Sequence, residues 1–125
     1  MTKTLTIQIQ SLDEALQGFR ETFKTLQAGR PVEPRKGVSF TSIEAARRLL
    51  TPNRLGLLRA VRTKQPRSIY QLARMLGRDL KNVQQDLRIL EQYGLVQMTE
   101  GRSAGKRRVK APRTPFREIA LRIAI

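Results

Sequence analysis

Apolar residues recur at Ile69, Leu72, Ala73 and Leu76, the i, i+3, i+4, i+7 spacing that places them on one helix face. Gly77 interrupts that pattern, and Asp79 stands where a residue can cap the next helix. Val83, Leu87 and Leu90 then form the apolar stripe of a second helix, which Gly94 stops. Upstream, Thr51-Pro52 is a cap followed by proline in the first helical turn, and Leu55, Leu58 and Val61 are the expected buried stripe. Thr41 or Ser42 caps a shorter helix running to Leu50, with Glu44 in its first turn. Ser11-Leu12-Asp13-Glu14 is a capping-box start, and Leu12, Ala15, Leu16, Phe19, Phe23 and Leu26 fall on one stripe of the helix after it.

Alternation marks the strands. Leu5, Ile7 and Ile9 alternate with Thr4, Thr6, Gln8 and Gln10, as in a half-buried strand. Val38 and Phe40 suggest a brief extended piece after the proline-containing loop 29–37. Leu95–Glu100 and Arg107–Ala111 read as a hairpin turned by Gly101–Gly105, with Pro112 and Pro115 ending it. Ile119, Leu121, Ile123 and Ile125 form a last alternating strand. The first and last strands are each apolar on one side. Such edges need a mate, whether each other, a second copy or a protein partner.

The helix–turn–helix followed by a hairpin predicts an α+β fold of the winged helix-turn-helix kind, a three-helix core plus a β-wing. An N-terminal strand-helix arm and a C-terminal strand are added to it. Three segments are expected: an arm over 1–50 for dimerisation or partner binding, a core over 51–112, and a terminal strand over 113–125.

Charge narrows the partners. The chain has 25 basic and ten acidic residues, a formal net charge of +15. Residues 1–50 hold eight basic and five acidic residues, and the remainder 17 and five. The excess therefore sits in the helix-turn-helix half, which favours nucleic acid. Cys and His are absent, so there is no disulfide framework and the commonest metal ligands and general base are missing. No cofactor, metal or enzymatic activity is expected. No stretch resembles a signal peptide or a membrane span, so a soluble cytoplasmic protein without a membrane partner is expected.

The second helix of the pair exposes Lys81, Asn82, Gln84, Gln85 and Arg88. Any surface helix has a solvated face, but this one carries amides and cations without an acid. Asn and Gln can bond adenine bidentately and Lys or Arg can bond guanine, so these five are the candidate base readers. Arg102, Lys106, Arg107, Arg108 and Lys110 lie in or beside the hairpin turn, a charge run placed to touch phosphates or enter a minor groove. Ser68 caps the first helix, whose end could hold a phosphate, and Arg78 follows the turn glycine. Arg62, Lys64 and Arg67 sit in the expected loop before it. Asp79 has a sufficient role as a cap, and Asp86 is expected to pair locally with Arg88 and Lys81. Leu12, Leu16, Phe19, Phe23 and Leu26 are the candidate dimer or partner interface.

The run SIYQLARMLGRDLKNVQQDLRILEQYGLV resembles winged-helix transcriptional regulators of the broad MarR and ArsR type. The whole chain is similar to a group of small DNA-binding regulators, some of them antitoxins encoded beside a toxin. The resemblance implies a homodimeric repressor on double-stranded DNA. It also implies an alternative, an antitoxin that neutralises an acidic toxin protein and autoregulates its operon. Structured-RNA binding is a third reading. Sparse aromatics, with no Trp, weigh against single-strand stacking.

Overall fold

In a computed structural model, residues 3–29, 37–102 and 108–123 are described. They form an α+β structure of five helices and five strands in two small sheets. The order is β1 (Thr4–Ile9), α1 (Leu12–Gln27), β2 (Gly37–Phe40), α2 (Ile43–Leu49), α3 (Pro52–Lys64), α4 (Ile69–Leu76), α5 (Leu80–Gln92), β3 (Gln97–Arg102), β4 (Arg108–Arg113) and β5 (Glu118–Ile123).

The first sheet is parallel throughout, in the order β2-β1-β5. The first and last strands thus pair with each other, one of the three mates the alternation left open. β1 buries Leu5, Ile7 and Ile9 and turns Thr4, Thr6 and Gln8 to the other face. Gly37 meets Thr6 across the β1–β2 pair, where an added Cβ would lie 2.6 Å from the Thr6 carbonyl oxygen. Only a residue without a side chain permits that approach. α2 covers β1 through Ala46, which joins Ile7 and Ile9 in one apolar cluster. A seven-residue helix is only about 10 Å long. It leaves the far side of β5 open, so Leu121 and Ile123 stay exposed despite their apolar alternation.

The second sheet is the antiparallel β3–β4 hairpin. It closes a core made by α3, α4 and α5. Leu57, Leu58, Ala60, Val61, Leu72, Ala73, Val83, Leu87, Leu90, Leu95 and Val96 form one buried cluster. Leu57 was not on the expected stripe of α3, and Leu55 is only half-buried. Leu5 from β1 and Leu49 from α2 belong to the same cluster. The division expected near residue 50 therefore runs through the core rather than beside it.

α1 differs from every other helix. Ser11 caps it, its Oγ accepting from the Glu14 N–H at 3.2 Å. None of its residues is buried. Its half-buried positions carry the small side chains of Ala15, Gly18, Thr22 and Thr25. Among the described residues, no helix is long and apolar enough to cross a membrane.

Candidate functional site

Two short helices and the turn between them set the geometry. Ser68 Oγ accepts from the Gln71 N–H at 3.0 Å and so starts α4. Gly77 ends α4 in the left-handed region, at φ +63°. Its N–H donates to Arg74 O at 3.2 Å, and the Arg78 N–H donates to Ala73 O at 3.0 Å. A side chain at residue 77 would strain this turn, which sets the angle at which α5 leaves. Asp79 occupies the cap position of α5, but its side chain makes no capping bond. Val83, Leu87 and Leu90 are buried as expected, which fixes the rotation of α5 about its own axis.

That rotation turns Lys81, Asn82, Gln85 and Arg88 to solvent, while Gln84 is half-buried. Asp86 lies on the same helix but faces inward. One carboxylate oxygen accepts from Arg54 Nε at 3.1 Å and the other from an Arg78 terminal nitrogen at 2.8 Å. Its partners are therefore Arg54 and Arg78, not the expected Arg88 and Lys81. Arg54 also donates to the carbonyls of Arg48 and Leu49, at 2.6 and 3.1 Å. One side chain thus ties the end of α2, the start of α3 and the middle of α5. The physical effect is to neutralise the only acid between residues 80 and 90 away from the exposed face.

Arg78 had been expected to contact a nucleic-acid backbone. Instead it turns inward, only 22% exposed, with one terminal nitrogen bound to Asp86 and the other buried without a partner among the described residues. Leaving for a phosphate would strip Asp86 of one of its two counter-ions, a cost that makes it a structural cation first. Arg62 and Lys64 lie in the last turn of α3 rather than in a loop. Arg62 donates to Phe116 O at 3.4 Å.

The hairpin stands beside α5. Ile69, Gln84, Leu87, Arg88, Glu91, Met98 and Lys110 together line a groove of about 190 Å³ between them. Lys110 is exposed on β4. Arg113 anchors that strand by donating to Pro66 O at 2.7 Å. Arg102 and Arg108 are cross-strand partners in the last pair of the hairpin before its connection. Lys106 and Arg107 lie outside the described residues. Among the described residues, no cluster of three acids could hold a metal ion.

Leu12, Leu16, Phe19, Phe23 and Leu26 are all exposed, on one stripe of α1, and none of them lines this groove. Arg54 is the residue whose role the sequence did not signal: it acts across 32 positions, and no local pattern marks it.

A family model designated HVO_A0114 matches residues 49–121. The chain belongs to the HVO_A0114 family. The match begins at the end of α2 and runs through α3, α4, α5 and the hairpin into β5, leaving out β1, α1 and β2. HVO_A0114 is an uncharacterised family and indicates no function. Neither a curated protein nor a solved structure matches the chain.

Proposed function

We propose that this chain is a winged helix-turn-helix regulator that binds duplex DNA, with α5 in the major groove and the β3–β4 hairpin as the wing. The observation that carries the reading is the exposed stretch of α5 from Lys81 to Arg88, which turns amides and cations but no acid to solvent; Glu91, exposed at the end of the helix, bounds it. Lys81, Asn82, Gln85 and Arg88 face solvent, while Asp86 is held inside by two arginines. Side-chain amides and cations on the solvent side of a helix whose other side is anchored in the core are suited to base edges. Gln84, Arg88 and Lys110 extend the surface along the groove to the hairpin. Ser68 and Lys110, with Arg102, Lys106, Arg107 and Arg108, would position the duplex, and the α5 side chains would carry sequence preference. Occupancy of an operator would repress transcription.

Selection of bound sequences from random duplex DNA tests the reading. An enriched motif is expected. Gln85→Ala or Asn82→Ala should cost about 1–3 kcal/mol on that motif and little on random DNA. With roughly 4–8 phosphates neutralised, log K against log salt should have a slope of roughly −4 to −7. A slope near zero, or equal loss on both DNAs, would overturn the proposal. Stronger competition by folded RNA than by duplex DNA would replace it with the RNA reading.

A further inference from the structure

The apolar stripe of α1 has the spacing of a coiled-coil seam. Leu12, Leu16, Phe19, Phe23 and Leu26 are separated by four, three, four and three residues, the alternation of heptad positions d and a. All five side chains are between 47% and 69% exposed. None of the described residues covers them, and no residue of α1 is buried. We propose that α1 pairs antiparallel with α1 of a second copy of this chain, about a two-fold axis.

Charge selects both the occupant and the direction. α1 carries Asp13, Glu14 and Glu21 against Arg20 and Lys24, a net charge of −1 in a chain of +15. It is thus unsuited to nucleic acid, to an anionic lipid surface or to an acidic protein. In an antiparallel seam, a positions face d positions. Leu16 then lies opposite Phe19 of the second copy, and Leu12 opposite Phe23 of the second copy. The flanking e positions, Asp13 and Arg20, come together across the seam, and two-fold symmetry repeats the pair. A parallel seam would flank Ala15 with Arg20 and Thr22 with Gln27, which pairs no charges. Antiparallel packing also sets each acidic first turn beside the basic last turn of the other helix, where Lys24 stands. The inference does not depend on the DNA reading, and failure to bind DNA would leave it intact.

The test is the mass of the full chain in solution across micromolar concentrations. A dimer is expected. Phe19→Asp should weaken it about a hundredfold or more, because a buried aromatic anchor is replaced by a charge. Asp13→Arg should weaken it by about tenfold, and Asp13→Arg combined with Arg20→Asp should restore it. Direction is read by cross-linking, which the absence of native cysteine makes clean. An equimolar mixture of Leu12→Cys and Phe23→Cys proteins should form the mixed disulfide. Neither variant alone should, because like positions lie roughly 16 Å apart along an antiparallel pair, beyond the roughly 7 Å that a disulfide spans. A monomeric wild type, a dimer indifferent to Phe19→Asp, or self-linking of Leu12→Cys would each overturn the proposal. So would a stripe filled only when a different protein is added.

Discussion

α1 and α5 are both amphipathic, yet they present opposite sides to solvent. α5 spends its apolar stripe on the core: Val83 and Leu90 are fully buried, and polar and charged side chains, mostly amides and cations, remain outside. α1 keeps its small side chains half-buried and turns Leu12, Leu16, Phe19, Phe23 and Leu26 outward. Amphipathicity alone therefore does not say which side is used within the chain. The difference comes from what each helix can reach. α5 is held by α3, α4 and the hairpin. α1 crosses between two parallel strands whose inner face is already covered by α2. Its apolar face is left exposed, as is the polar face of α5.

The largest effect should come from truncating the buried side. Leu90→Ala should destabilise the fold by about 2–5 kcal/mol in urea unfolding. Phe19→Ala, measured where the protein is monomeric, should fall within about 0.5 kcal/mol of wild type. Comparable losses would mean that the α1 stripe is already packed, and the contrast would collapse. Next comes Asp86→Ala, which leaves two arginines facing each other in a largely buried site. A loss of about 2–3 kcal/mol is expected, with weakened discrimination among DNA sequences because α5 loses its tie to α3. Asp86→Asn should recover part of the stability but not all of it. Smaller still is Lys110→Ala, which should weaken specific and random DNA alike and reduce the salt slope by about one. The smallest is Thr4→Val. It removes the exposed 2.6 Å bond from the Thr4 hydroxyl to Glu118, and thermal unfolding should change by about 0.5 kcal/mol or less.

Local features are legible in the sequence. The caps at Ser11, Ser42, Thr51 and Ser68, the break at Gly77 and the stripe Val83–Leu87–Leu90 each lie within a single turn or helix. Non-local facts were not legible. The alternation of β1 and β5 showed that both needed mates but could not name them, because pairing across the whole chain leaves no local trace. Periodicity offers Asp86 only the cations of its own helix, whereas one of its two partners, Arg54, is 32 residues away. Arg78 has its partner Asp86 only eight residues on, but the turn at Gly77 that brings the two together is not written in either residue. Leu5 and Leu49 gave no hint that they share a core with α3–α5. At the candidate site, exposure of Lys81, Asn82, Gln85 and Arg88 follows from helical periodicity, whereas the groove shared with Met98 and Lys110 depends on how the hairpin folds back.

The placement of β1 at the centre of its sheet also governs the order of folding. Its neighbour β5 lies at the far end of the sequence, Thr4 and Glu118 being 114 positions apart. On a ribosome adding about 5–20 residues per second, Leu5, Ile7 and Ile9 would wait several seconds for their second flanking strand. Contacts between α4 and α5 close far shorter loops and need no such delay. The helices and hairpin can therefore consolidate first, with the parallel sheet zipping shut last. Until then, the edge of β1 that β5 will cover is open to any other strand, and the rate of that closing step decides how much chain is lost to aggregation.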